Sequence, residues 1–431
     1  MSQAGGWRAG ARGGVGRVRW RICAMLFVAT AINYMDRQVI GLLKPTLEGS
    51  IGLTEVQFGS IIAAFQVAYA VGLLGAGRLV DRLGSRLGYA VLMGTWSLAA
   101  MAHALARTPL QFGIARFFLG LGEAGNFPAA IKTVADWFPR RERSLATGIF
   151  NSGANVGAIL APALVPWVTV HFGWRAAFLF TGVFSVAWIA WWYTHYRKPG
   201  EHPTVTGEEL RHIYEESAAE MGPQAPWAKL LTYRQTWAIA GAKFLTDPIW
   251  WFYLFWMPGF LDARFHLGLT RMGLPLILIY NVSALGSIGG GWLPSVFVRL
   301  GWTGTRARFA TMFLCACCAV PMVLAGHVLS EWVAVGLLSL AVAAHQGWSA
   351  NLYTTTSDMF PTSAVGSVTG IAGMAGSVGG VLLSLSAGRI LEVTHSYAPL
   401  FALAGSVYLV AFVFLRVMAP RLGRVDLEAR R

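Results

Sequence analysis

Long apolar runs alternate with short polar joints along this chain, and most charged residues fall in the joints. A helix needs about 20 mostly apolar residues to cross a bilayer. That rule predicts twelve spans. Six lie at 20–43, 55–78, 87–106, 110–137, 145–170 and 176–196, and six at 235–262, 271–297, 309–328, 333–356, 365–392 and 398–419. The expected fold is an all-α integral membrane protein with two six-helix bundles, 20–196 and 235–419. The segment 197–234 between them holds Glu201, Glu208, Glu209, Glu215, Glu216 and Glu220, and no other joint is comparable. It is the expected boundary, with a short surface helix within Pro203 to Met221. Residues 1–19 and 420–431 read as tails. Six spans on either side of a polar bridge suggest two related halves.

Composition sharpens this picture. Of the 431 residues 55% are hydrophobic and 13% are charged, against about 25% charged in soluble domains. The net charge of +14 could point to nucleic acid, but its placement excludes that. Of 34 Lys and Arg, 24 sit on one side of the predicted spans, five on the other and five inside spans. Such an excess puts both termini in the cytoplasm. Cys23, Cys315, Cys317 and Cys318 lie in or beside apolar runs with no zinc-ligand spacing, so they are expected to be small buried hydrophobes. No metal and no cofactor is expected, and a monomer is the default. Small-residue pairs at Gly153/Gly157, Gly286/Gly290, Gly366/Gly370 and Gly376/Gly380 suit close helix contacts.

Ionisable residues inside a bilayer are costly, and each raises a functional hypothesis. Asp36 lies sixteen residues past Trp20, about 24 Å along a helix. Arg37 follows it. In the fourth span Arg116 and Glu123 are seven residues apart, nearly two turns, and project from one face. Two acids and two arginines in the first half suggest coupled exchange. An anion that engages an arginine weakens its hold on a carboxylate, which then accepts a proton. The alternative is a static ion-pair network between helices. Lys243 and Asp247 can satisfy each other one turn apart, and Lys132 can snorkel. The second half carries an aromatic run, Trp250 to Trp256, with Pro258 expected to interrupt its helix. It also carries a polar run containing His345, Gln346, Trp348, Ser349 and Asn351. Rings and polar groups of this kind, Trp251 included, suit a polyhydroxylated ligand.

Residues 77–86 read G-x-x-x-D-R-x-G-x-R, which resembles the signature loop of the major facilitator superfamily. Gly77 is expected to allow close helix contact and Gly84 a tight turn. Asp81, Arg82 and Arg86 would complete a conformational latch. Asn-Tyr-Met-Asp-Arg at 33–37, Gly-Glu-Ala-Gly-Asn-Phe-Pro-Ala at 122–129, Asp-Trp-Phe-Pro at 136–139 and Phe-Asn-Ser-Gly at 150–153 look like the anion:cation symporter branch. Lys243 to Pro258 and His345 to Pro361 are similar to hexuronate transporters within it. The resemblance implies a proton-coupled symporter for glucuronate or galacturonate in a bacterial inner membrane. It implies protonation at Asp36 and Glu123 and carboxylate binding at Arg37 and Arg116. Tyr34 and Tyr69 would line the first-half cavity, and Asn151, Ser152 or Asn155 would hold substrate. Some relatives carry an acid near position 284, where this chain has Ala284. Two other readings compete: the same fold with another organic anion, and a membrane enzyme or sensor. No nucleophile–base pair supports the enzyme, and the tails are short for an output domain.

Overall fold

The computed structural model describes residues 17–214 and 226–426. Residues 1–16 and 427–431 of the expected tails, and 215–221 of the expected surface helix, lie outside the described residues. The first half contains α1 Val18–Leu42, the short α2 Lys44–Ile51, α3 Glu55–Ala102, α4 Pro109–Glu123, α5 Asn126–Trp137, α6 Arg140–Phe172 and α7 Trp174–His195. Then come α8 Gly207–Tyr214 and α9 Trp227–Leu230. The second half contains α10 Arg234–Phe265, α11 Gly268–Arg271, α12 Gly273–Arg299, α13 Gly304–Ala319, α14 Glu331–Met359, α15 Thr362–Thr394 and α16 Ala398–Met418.

These helices supply twelve crossings. α3 contains two of them, folded at Gly84, where φ is 75°; glycine enters that region without strain. α4 and α5 form one crossing, interrupted at Ala124 and Gly125 directly after Glu123. Eight helical stretches among the described residues are long and apolar enough to span a membrane by themselves, and one of these is the folded α3. The other three crossings, α1, α4 with α5, and α10, carry Asp36/Arg37, Arg116/Glu123 and Lys243/Asp247. α4 and α5 are each too short to cross alone, and all three crossings mark where buried charge is concentrated.

Small residues set the closest packing, as expected of membrane helices. A Cβ at Gly153 or Gly157 would run into the α1 backbone at Phe27 and Ala31, and one at Gly286 or Gly290 into α14 at Ala343 and Gly347. Gly366 and Gly77 meet open space, so neither is needed for close contact here. α10 runs through Pro248 and Pro258 to Phe265. The expected interruption at Pro258 does not occur, because neighbouring helices tolerate the lost bond in such a setting. Cys23 and Cys315 are buried, whereas Cys317 and Cys318 are only partly so.

Bonds between the halves gather at the end away from the Lys- and Arg-rich joints. There Val56 N donates to Glu392 at 3.2 Å and Ser384 Oγ donates to Gln66 at 3.0 Å. Gly59 and Gly388 bring α3 and α15 together beside them. At the basic end the signature loop bonds within the first half. Asp81 pairs with Lys132 at 2.8 Å, Ser85 donates to Asp136 at 2.8 Å, and Arg86 lies 4.3 Å over the Tyr193 ring. Arg82 is exposed.

α8 docks against this end. Its Glu209, fully buried, accepts from the backbone N and the guanidinium of Arg19, both at 3.2 Å. Arg19 and His212 each lie 2.8 Å from Glu142. Burial pushes the Glu142 carboxyl up, but these two neighbours prevail and hold it below the usual range. Part of the central segment is therefore tied to α1 and α6.

Candidate functional site

The first-half charges meet inside the protein. Asp36 is 2% exposed, Arg37 3%, and Arg116 and Glu123 0%; none faces lipid. Arg37 of α1 reaches Glu123 of α4, with Nε and Nη2 lying 2.9 and 2.8 Å from the same oxygen, Oε2. Nη2 also donates to Asn33 at 3.2 Å. Four rings surround the guanidinium: Tyr34 at 4.8 Å, Tyr69 and Trp251 at 5.1 Å, and Phe65 at 5.4 Å. Trp251 belongs to α10, so the second half touches this pair directly. Cation–π contact and exclusion of water both strengthen such an arrangement.

Arg116 is the less satisfied arginine. One amino group donates to the Arg37 carbonyl at 3.4 Å, while Nε and Nη1 have no hydrogen-bond partner among the described residues. Glu123 Oε1 and Asp36 Oδ1 are buried and equally unpartnered. Asp36 turns away from Arg37, as adjacent helix positions must, and accepts from Ser185 of α7 at 3.3 Å. Buried polar groups are normally satisfied. Several unmet donors and acceptors in one cluster leave capacity for a ligand or a proton.

The helix break beside Glu123 falls where Pro128 has no N–H to offer the Ala124 carbonyl, and the glycines around it pack tightly. Gly122 and Gly125 press on Trp96 and Leu92 of α3, leaving no room for a Cβ. On α6, Gly153 and Gly157 face α1. Asn151 and Ser152 lie on the other side and are exposed, and Asn155 is half-buried. Ser152 Oγ bonds its own helix at Ile149.

The polar run of α14 divides between two faces. His345 shares a 2.6 Å bond with the Tyr408 hydroxyl and stacks on Trp250 at 5.3 Å. Trp348 is fully buried against Tyr408. Asn351 donates to the carbonyls of Gly290 at 2.7 Å and Gly347 at 2.8 Å. His345 and Asn351 are bonded and Trp348 packed within the second half, and the Trp348 indole N–H has no hydrogen-bond partner among the described residues. Gln346, Ser349 and Tyr353 share one face and retain exposure, with His345 one turn before Ser349 at its edge and Trp348 and Asn351 turned away. Lys243 pairs with Asp247 at 2.7 Å, as the spacing implies, and also donates to Tyr353 at 3.3 Å.

Two groups escaped the sequence reading. Gln66 is fully buried and bonds Ser384 across the halves; a lone amide in an apolar run was the available signal. Lys44 is 2% exposed and holds Glu48 and Glu55 at 2.6 Å each. It sits at a span end, where a lysine ordinarily reaches water and draws no notice.

Residues 26–384 match the family described as Major Facilitator Superfamily. The chain is 32% identical over 394 residues to the "Hexuronate transporter" of Escherichia coli (strain K12), covering 89% of this chain and 90% of that protein. It is 33% identical over 288 residues to the "Galacturonate transporter" of Dickeya chrysanthemi, covering 65% and 83%. Among solved structures, the inward open xylose transporter XylE from E. coli superposes with a TM-score of 0.71 at 14% identity, over 93% of this chain and 96% of that one. That last likeness concerns fold alone.

Proposed function

We propose that this chain, which belongs to the major facilitator superfamily, is a proton-coupled symporter that imports a hexuronate by alternating access. It is a multi-pass membrane transporter with sugar-acid carriers among its relatives, not an enzyme. The observation that carries the finer reading is the buried Arg37–Glu123 pair, ringed by aromatics from both halves. The substrate carboxylate competes with Glu123 for Arg37, and Arg116 offers further donors. A carboxylate left unpaired in this apolar core is costly, and a proton neutralises it. Asp36, with one free oxygen, is the second protonation site. Tyr34 and Tyr69 line the route, with Asn151 and Asn155 on the opposite wall.

The basic end is assigned to the cytoplasm of a bacterial inner-membrane protein, with a single chain as the working unit. Inter-half bonds at the far end then describe a form closed outward. Uptake of labelled glucuronate and galacturonate into proteoliposomes tests the reading. An imposed pH gradient is expected to drive accumulation above equilibrium, and Asp36→Asn to abolish it. Uptake that only equilibrates refutes proton coupling. Failure to carry either uronate, with uptake of another organic anion, refutes the assigned cargo.

A further inference from the structure

Lys243 and Asp247 form an ion pair inside a bilayer span, where apolar residues of the same volume would usually serve stability as well. Their surroundings differ from those of a sealed structural pair. The Asp247 side chain is 22% exposed. Tyr353, whose ring lies 4.4 Å from the Lys243 ammonium and whose hydroxyl accepts from it, is 51% exposed. Behind the pair there is no space: a Cβ on Gly376 of α15 would collide with the Asp247 carboxylate. The group therefore opens toward the face of α14 that carries Ser349 and Gln346. Tyr353 is also within electrostatic reach of Tyr34 and Tyr69, two of the rings around Arg37. The pair thus stands across the junction of the halves from the carboxylate site.

We propose that Lys243, Asp247 and Tyr353 form the subsite that binds the hydroxyl groups of the cargo. This rests on the reading of the chain as a sugar-acid carrier. A matched Lys–Asp pair has no net charge and gives little attraction to a second carboxylate. It does place an ammonium donor beside a carboxylate acceptor, which suits neighbouring hydroxyls that each donate and accept. The Tyr353 ring covers the C–H face of the sugar. The ligand class is a carboxylate carrying a polyhydroxylated body, held at its charged end by the first half and at its hydroxyls by the second.

The test pairs substrate hydroxyls with residues. Equilibrium binding of glucuronate and its monodeoxy analogues is measured on purified full-length protein, wild type and Asp247→Asn, Lys243→Gln and Tyr353→Phe. A hydrogen bond to a charged group corresponds to roughly tenfold in affinity. At least one deoxy analogue is expected to bind the wild type about tenfold more weakly than glucuronate. In Asp247→Asn that penalty should shrink to about twofold, because the partner of the missing hydroxyl has already lost its charge. Tyr353→Phe keeps the cycle available if a charged variant fails to fold. Deoxy penalties that stay the same in every variant overturn the subsite. If the wild type binds no sugar acid at all, the transport reading falls with it.

Discussion

In the first half, buried charge reaches between helices: Arg37 of α1 holds Glu123 of α4, and Arg116 stands beside them with two unmet donors. In the second half the pair Lys243–Asp247 stays on α10. The pair that does bridge helices there, Arg308 of α13 with Asp358 of α14 at 2.6 Å, has its carboxylate 41% exposed. The buried cross-helix bonds are neutral ones, His345 to Tyr408 and Asn351 to Gly290. The difference separates a device from a scaffold. A charged pair that bridges helices and leaves oxygens and nitrogens free can be broken by a competing ion. A saturated neutral bond offers an anion nothing to exchange.

Breaking the bridge should have the largest consequence. Arg37→Gln leaves Glu123 buried without its bonded partner, with Arg116 near but not bonded to it, and breaking such a pair costs about 3–5 kcal/mol. Initial uptake is expected to fall at least about 100-fold, at a loss of barrier lowering near 2.7 kcal/mol. The double variant Arg37→Gln/Glu123→Gln should regain thermal stability in detergent without regaining transport. A double variant that still accumulates substrate would make the pair a mere brace.

Arg116→Lys comes next. Lysine keeps the charge but loses the planar fork, so the apparent KM for the uronate should rise about tenfold while the protein remains folded. A wild-type KM in this variant would assign Arg116 to structure. On the scaffold side, Asn351→Ala removes the bond from α14 to the Gly290 carbonyl of α12 and the bond to the Gly347 carbonyl within α14. It should lower stability by about 1–3 kcal/mol, read as an earlier thermal unfolding midpoint, with KM within about twofold of wild type. A large change in KM at unchanged stability would give Asn351 a part in holding the ligand.

These contrasts also explain what could be read from residues alone. Asp36, Arg37, Arg116 and Glu123 stood out because a bilayer makes any interior charge anomalous, and all four prove buried. The faces of α14 were not legible in the same way. His345, Trp348 and Asn351 interleave with Gln346, Ser349 and Tyr353, and one residue is about 100° of helix rotation. Gly290 was expected to make a close contact, but that its partner is Gly347 of α14, which bears on that rotation, has no trace in the local pattern. Docking of α8 through Glu209 onto Arg19 spans 190 residues and leaves no periodicity either. The tight fit of Gly122 and Gly125 against Trp96 and Leu92 of another helix was hidden for a similar reason.

The smallest effect belongs to the pair that most resembles Arg37–Glu123 on paper. Asp81 and Lys132 are also 2.8 Å apart and also link two helices, but Asp81 is 68% exposed. Water screens an exposed pair and side-chain entropy opposes it, so such pairs contribute about 0–1 kcal/mol. Asp81→Asn should therefore lower the unfolding midpoint only slightly at low ionic strength. At about 1 M salt, where screening acts within about 3 Å, the difference from wild type should vanish. A loss matching that of Arg37→Gln, persisting in high salt, would show that the loop at 77–86 bears on the fold through more than this bond, and that exposure does not separate the two pairs.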